Sequence, residues 1–512
     1  MCIRDSINGA NVVNFTYDAD GLLSTAGSLA LSHNLQNGLY TGSTLGSVSD
    51  SLTYDNMAQL ANYSATFRAS GIYSAAFVHD AVGRISQKTE SIGGATAVYD
   101  YSYDLAGRLT SVTKNSVPVG AYAYDSNGNR IAYTGAAGPV VASYDAQDRL
   151  ISYGATTYSY TANGELLNKA SGSQITGYQY DALGNLMHVV LPNGTTIDYL
   201  IDGRNRRIGK KINGVLTQGF LYKGSLRPIA ELDGANALVS QFVYATHINV
   251  PDYMIKGGIT YRLITDQLGS PRLVVDVSTG AIAQEIDYDE FGNVLNDTSP
   301  GFQPFGFAGG LYDHDTGLVR FGARDYDAGV GRWTAKDPIG FGGGEPNLGT
   351  YVGGNPISFV DPLGLAGWGF NAGGSIEWGV DSAVAAQAST GFASFFDTSN
   401  TSPMYPLGAP SAGVYTSSGA MAGATLDQNV GGASAGLGLG CFITNAKTAE
   451  QLRGPFDTWT LNLPIISFQY ASGDDPVDGN TWTFGVSFGK SWGSSLSHYS
   501  VVTTYASTLV SQ

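Results

Sequence analysis

From about residue 17 to about residue 294, apolar and polar residues alternate in short runs, each closed by a cluster of Asp, Asn and Gly. Tyr99, Tyr101 and Tyr103 fall on one face of such a run, as do Tyr122 and Tyr124, with small or polar residues between them. Alternation of period two, bounded by turn residues, predicts half-buried β-strands; no stretch carries a sustained helical period. The turns are near-copies of one another. YDLAGRL (103–109) has relatives in YDADGLL (17–23), YDSNGNR (124–130), YDAQDRL (144–150), YTANGEL (160–166), YDALGNL (180–186) and YDEFGNV (288–294). HDAVGRI (79–85) puts His79 in the Tyr position, and Tyr54-Asp55 and Ile201-Asp202 are more degenerate copies. Neighbouring copies from Tyr54 to Tyr180 lie 16 to 25 residues apart, which suits one hairpin per copy and predicts a tandem array.

Within each copy, Asp-x-x-Gly supplies an Asx-type turn followed by a residue able to take positive φ. Tyr before it and Leu, Ile or Val after it end one strand and start the next. Arg or Asn near the turn is placed to bond the Asp of the same or the next copy. The Tyr-Asp pairs read as structural; aromatics beside Asp and Gly turns also suit carbohydrate contact, which stays as the alternative.

Composition agrees with an all-β chain: among 512 residues there are 69 Gly and 31 Tyr, and only 13% are charged. A net charge of −16 repels phosphate backbones and argues against nucleic-acid binding by the body of the chain. Cys2 and Cys441 lie in unlike contexts and indicate neither a disulfide framework nor a Cys metal site. No apolar run approaches the roughly 18 residues of a membrane helix. The opening MCIRDSINGANVVNFTYDADG has no apolar core of a signal peptide and enters the repeat at once. The chain is therefore expected to be the C-terminal portion of a longer protein, or an incomplete gene model.

The pattern breaks at Tyr312–Leu365. This stretch holds Asp337-Pro338-Ile339-Gly340 and Asp361-Pro362-Leu363-Gly364, with 20 residues between them, and Arg320, Arg324 and Arg332 ahead of the first. Asp-Pro-x-Gly is a sound turn without chemistry: Asp caps, Pro fixes φ and Gly takes the left-handed conformation. Two aspartates brought together by the fold would also share a proton, one acting as base toward water and one as acid toward a carbonyl or leaving amine. A guanidinium beside them would hold one carboxylate ionised or stabilise an oxyanion. Both accounts stand on the sequence.

These features together resemble the RHS/YD-repeat proteins of bacteria, over roughly residues 15–365. Besides the repeats and the 312–365 stretch, the resemblance is carried by TDQLGSPR (265–272), YDEFGN (288–293) and FGFAG (305–309). The chain departs from the family pattern at Gln267 (usually His), Gly349 (usually Tyr) and Gly354 (usually Asn). The resemblance implies an all-β fold in three parts: YD-repeat hairpins forming a spiralling β-sheet cage over 1–300, a plug with a self-cleavage motif over 301–365, and a separate, Gly-rich, mostly β variable domain over 366–512. It implies an intramolecular aspartyl-type cleavage by Asp337, Asp361 and Arg324, with Arg320 as the alternative arginine and the cut at Leu365–Ala366. Such a cut happens once per chain and is processing, not enzymology on an outside substrate. The implied function is a secreted or cell-surface polymorphic-toxin carrier used in interbacterial competition. Its partners would be its own C-terminal segment inside the shell, a secretion apparatus and an immunity protein, with no cofactor or metal. The competing expectation is a cell-surface adhesion or carbohydrate-binding protein without a toxin, and an inactivated copy is a third.

Residues 366–512 are rich in Gly, Ser and Ala and keep only Lys447, Arg453, Lys490 and His498 as basic or imidazole groups. That is too few for a nuclease centre, and the H-x-E with P-C-x-x-C of zinc deaminases is missing. Trp482–Phe488 and Trp459–Leu463 alternate as strands, whereas GGASAGLGLG (431–440) reads as flexible or tightly turned. Asp474, Asp475 and Asp478 read as a solvated acidic loop before a hard-cation site. A membrane-inserting β pore and a plain β-sandwich both fit this segment.

Overall fold

The computed structural model describes residues 2–7 and 10–365, with side-chain surroundings for Ile7 and 11–365; of 366–512 it describes only the backbone of strands, among them Phe370–Asn371, Val384–Ala386, Phe395–Asp397 and the six named below. The chain divides into two compact units, Met1–Gly379 and Val380–Gln512. In the first, 29 strands between Cys2 and Asp297 form one sheet, and each strand pairs antiparallel with the next in sequence. No α-helix occurs among the described residues; three short 3-10 turns lie in the 301–365 segment.

The repeat consensus has a physical reason at every position. At the central copy, Asp104 Oδ1 accepts the N–H groups of Ala106 and Arg108, both at 2.9 Å, closing the turn. Its Oδ2 takes the Arg108 guanidinium at 2.6 Å. Arg108 then lies over the ring of Tyr124, in the following copy, at 4.9 Å. Arg84 over Tyr103 and Arg206 over Tyr222 repeat the contact at 4.6 and 5.2 Å. The Tyr hydroxyl bonds backward to the first strand residue of the preceding copy: Tyr103 to Ile85 O at 2.6 Å, Tyr144 to Arg130 O and Tyr222 to Arg207 O, both at 2.9 Å. Each of these Tyr residues sits at a bulge in the strand register, which turns its side chain out of the plain alternation and toward its neighbour. The first Tyr of the Tyr-x-Tyr-Asp pattern, two residues earlier, faces inward: Tyr101, Tyr122 and Tyr178 are buried, as is Tyr199 in the degenerate copy ending Ile201-Asp202.

The meander also coils back on itself. Gln241 donates to Asn11 O at 2.7 Å, Tyr253 OH to Ala26 O at 3.2 Å, and Ser47 N to Val277 O at 3.1 Å. Buried ion pairs cross the same seam, Arg262 with Asp50 at 2.6 Å and Arg272 with Glu90 at 3.3 Å. Partners 182 to 230 residues apart therefore mark one turn of a spiral. This is the all-β spiralling sheet expected from the repeat.

Residues 301–365 form a small four-stranded sheet (Leu311–Asp313, Leu318–Phe321, Arg324–Asp327, Arg332–Trp333) with its own aromatic core of Phe307, Phe321, Tyr326, Trp333 and Tyr351. It is fastened to the spiral by charge: Arg207 to Asp325 at 2.7 Å, Lys169 to Asp327 at 2.8 Å, and Lys210 to Asp313 at 2.7 Å. In the second unit, Ser411–Gly413, Ala435–Thr444, Gly479–Trp492, Ile466–Asp475, Gly454–Asn462 and Ser495–Thr503 make a six-stranded antiparallel sheet in that order. The alternating runs at 459–463 and 482–488 fall almost wholly on its strands. The expectation for 431–440 is corrected in part, since Ala435–Thr444 pairs residue by residue with Gly479–Trp492. Gly436, Gly438 and Gly440 alternate with Leu437 and Leu439, so the period of two survives even though half its positions lack a side chain.

Tyr103→Phe should weaken the spiral locally by about 1 kcal/mol, because Ile85 O loses its only side-chain donor at a half-buried position. Amide exchange of the hairpins around residues 85–112 would then quicken about fivefold. Leu105→Ser, at a fully exposed turn tip, should leave exchange unchanged.

Candidate cleavage site

Arg324 opens the third strand of the small sheet, directly after a tight turn that pairs Phe321 with Arg324. Gly322 in that turn has φ +40°, and a Cβ on it would collide with Leu363 O. Gly364, φ +63°, faces it from the second Asp-Pro-x-Gly, where a Cβ would collide with Phe321 O. Only glycine on both sides lets these two backbones touch. Ala323 N donates to Leu363 O at 2.9 Å across the contact.

This approach delivers the chain around Leu365 to Arg324. The guanidinium lies 4.1 Å over Trp333, and Nε donates to Gly364 O at 2.6 Å. Nη1 donates to Leu348 O at 3.2 Å. Nη2 meets Asp337 Oδ2 at 2.9 Å and Asp361 Oδ2 at 3.3 Å. Both aspartates also work as turn residues: Asp337 Oδ1 accepts Ile339 N–H at 3.0 Å, and Asp361 Oδ1 accepts Leu365 N–H at 3.2 Å. The turn account and the shared-cation account thus describe different oxygens of the same carboxylates. Arg324, Asp337 and Asp361 are all buried.

Gly343, on the loop after the first Asp-Pro-x-Gly, closes the pocket. A Cβ there would sit 2.9 Å from both Asp337 Oδ2 and Leu365 O, so the carboxylate and the carbonyl border one gap that glycine leaves open. Burial pushes the Asp337 carboxyl up to about 6, against the pull of Arg324. Burial likewise pushes Glu345 up to about 8, opposed by Arg324 and Arg332. Desolvation lowers the Arg324 guanidinium below its ordinary value despite Asp361 and Asp337 beside it.

The structure therefore brings together Arg324, Asp337, Asp361 and Leu365, while Ala366 lies outside the described residues. Arg320 is elsewhere, bonded to Asp325 at 3.0 Å and to Asn185 at 2.7 Å. Arg332 holds Asn129 and Asp148 O of the spiral at 2.9 and 2.6 Å. Gln267 reaches Ile357 O at 3.3 Å, and at Gly349 a Cβ would lie 2.5 Å from Arg332 Nη2, so a larger residue there would displace that arginine. Glu345 and Gly343 were not singled out from sequence; the loop carrying them has no periodicity to mark it. Among the described residues, no group of three or more His, Cys, Asp or Glu is arranged to hold a metal ion. Asp474, Asp475 and Asp478 lie outside the residues whose side chains are described.

The Teneurin YD-shell family model matches residues 3–342. The chain belongs to the teneurin YD-shell family. Mouse (Mus musculus) Teneurin-4 is 30% identical over 268 residues, 51% of this YD-shell chain and 10% of that relative. Double-stranded DNA deaminase toxin A of Burkholderia cenocepacia (strain H111) is 29% identical over 340 residues, 59% of this chain and 23% of the relative. The chain thus spans about a tenth of the teneurins it matches. In fold, the YD-shell is similar to the Photorhabdus luminescens Tc holotoxin pore, with a TM-score of 0.59 at 16% identity over 74% of this chain and 21% of that one. A TcdB2–TccC3 complex gives 0.53 at 17% identity over 71% and 21%.

The raised Asp337 pKa has a signed consequence for the YD-shell. Its stabilising contribution is complete below the ordinary carboxylate range and is lost as pH rises through about 6. Asp337→Asn should remove a pH-dependent loss on the order of 2–3 kcal/mol between about pH 4 and pH 7. Denaturant titration of the full chain across that range would show the variant with a flatter profile than the parent.

Proposed function

We propose that this YD-shell is a toxin carrier that encloses its own C-terminal segment, residues 366–512, and frees it by one aspartyl-type cut between Leu365 and Ala366. The observation that carries this reading is the convergence of Asp337 Oδ2 and Asp361 Oδ2 on Arg324 Nη2, beside the Gly364 and Leu365 carbonyls. Asp337, with its carboxyl pushed up to about 6, is suited to be the acid that protonates Leu365 O. Asp361, anchored to Leu365 N–H, is suited to be the base that takes a proton from water as its oxygen attacks the Leu365 carbonyl carbon. Collapse of the tetrahedral centre breaks the Leu365 C–N bond, and the leaving amine takes up a proton from the site. Arg324 holds the aspartates and fixes the preceding Gly364 carbonyl; its donors stop one residue short of Leu365 O.

The carrier part is supported by the family and by toxin-named relatives, together with a plug whose charges fasten it to the spiral. Containment has a plain physical logic, since a closed β wall keeps a harmful segment from the producing cell. Delivery through a secretion apparatus, an immunity partner, action outside the cell and use in interbacterial competition belong to the same proposal. The adhesion or carbohydrate reading has less to draw on, because the repeat Tyr rings are stacked under Arg and bonded through their hydroxyls.

Wild-type chain refolded from denaturant should resolve on a gel into fragments 1–365 and 366–512. Asp337→Asn and Asp361→Asn should stay full length, with cleavage slowed at least about 100-fold. A wild-type chain that remains intact after folding would sink the cleavage reading. Expression of residues 366–512 alone should arrest growth; normal growth would remove the toxin from the account.

A further inference from the structure

The fourth residue after the turn aspartate divides the repeat copies into two classes. Where it is Arg84, Arg108, Arg149 or Arg206, Nε binds the aspartate of its own copy at 2.7, 2.6, 2.7 and 2.8 Å. The rest of the guanidinium stays within the spiral wall. Nη1 of Arg84, Arg108 and Arg206 donates to Asp104 O, Asp125 O and Gly224 O at 3.4, 2.8 and 2.8 Å, and Arg149 lies over Tyr160. Gln59, also long, reaches on to Gly83 O at 3.1 Å. These arginines are half-buried.

Where the same position is short and polar, the 301–365 segment sits on it. Asn129 binds its turn aspartate, Asp125, through Nδ2 at 2.9 Å, and its Oδ1 accepts Arg332 Nη1 at 2.9 Å and Asn347 Nδ2 at 2.7 Å. Asn185 binds Asp181 in the same way at 2.9 Å, and its Oδ1 accepts Arg320 Nη2 at 2.7 Å. Asn293 binds Asp289 at 2.7 Å and also donates to Ala328 O at 3.0 Å. Ser270 Oγ accepts Ala308 N–H at 2.9 Å. Asn129, Asn185 and Ser270 are buried. The Glu165 copy meets the segment by backbone instead, Leu166 N–H on Thr334 O at 2.8 Å.

We propose that this one position is an address: arginine ties a copy to the wall, and a short amide or hydroxyl makes that copy a seat for the chain's own 301–365 segment. The reason is what each residue offers outward. Asn closes its turn with Nδ2 and leaves Oδ1 as an acceptor, which suits an incoming arginine. Arg has donors only. At position 129 or 185 it would set a second buried cation against Arg332 or Arg320. The partner that fits these two seats is therefore a segment bearing arginines, and the fit holds whether or not the chain is cut.

The test is amide exchange of the full chain. Asn129→Arg and Asn185→Arg should each quicken exchange of amides 318–333 at least about tenfold and leave hairpins 60–92 unchanged. Asn293→Arg should change it by no more than about threefold, because that seat needs a donor and arginine supplies one. Arg84→Asn should quicken its own hairpin but not 318–333. Exchange of 318–333 at the parent's rate in both N129R and N185R would overturn the proposal. Equal losses in N129R, N185R and N293R would also overturn it, since bulk alone would then explain them. Should the arginine variants not fold, N129L and N185L remove the acceptor without added charge. They should quicken 318–333 about fivefold with 60–92 unchanged, and parental exchange there overturns the address as well.

Discussion

Everything in this molecule turns on how a buried or half-buried aspartate divides its two oxygens. In the spiral, Oδ1 caps the backbone of its own turn and Oδ2 takes a cation or amide four residues on, as Asp104 does with Arg108 and Asp125 does with Asn129. Where the partner is an arginine the turn is neutral and the guanidinium stacks on the next tyrosine, as Arg108 does on Tyr124. The two Asp-Pro-x-Gly turns keep the first half of the device and lack the second. Four residues after Asp337 stands Phe341, and four after Asp361 stands Leu365. Both carboxylates turn to Arg324 instead, two anions on one cation, and burial, with Asp361 adding to it, raises Asp337 against the pull of that cation. A structural repeat becomes a candidate for chemistry through the loss of one partner.

The same economy of cations explains how so acidic a chain closes. Arg130, Arg207, Arg262, Arg272, Arg320, Arg324 and Arg332 are all buried. Several tie distant parts together: Arg262 and Arg272 hold the spiral's seam, and Arg207 and Arg320 converge on Asp325 between wall and plug. Such pairs add little over a well-packed apolar contact, but removing one member strands a buried charge, at about 3–5 kcal/mol. They therefore specify which segment meets which more than they add to stability.

What could be read from the sequence follows from the distance over which each feature acts. The hairpins, their Asx turns and the inward tyrosines were legible because Asp104, Gly107 and Arg108 make their contacts within one copy or the next. Arg324, Asp337 and Asp361 were legible through spacing and resemblance, although spacing alone left Arg320 in contention until the fold placed it on Asp325 and Asn185. The seam joining Arg262 to Asp50, 212 residues away, left no local mark. Glu345 was silent for a related reason, being a lone acid in a Gly and Pro loop that gains meaning only where Leu348 meets Arg324. At 435–444 the reason differs: glycine's weak strand propensity marks the run as loose, and pairing along a long partner strand overrides it.

Assembly order gives the proposed reaction its safeguard. Arg324, Asp337 and Asp361 come from three segments of residues 301–365, and the Gly322–Gly364 contact is what brings the Asp361 turn onto Arg324. That contact depends on the aromatic core around Phe321 and Trp333, and the core's strands are tied to spiral turns through Asn129, Asn185 and Arg207. An unfinished spiral lacks those anchors, so the carboxylates would remain apart, each solvated and at its ordinary pKa, with no shared proton to use. Cutting before closure would release the cargo inside the cell that made it. Because the site's elements are anchored on several turns of the spiral, the proposed chemistry is tied to completion of that spiral.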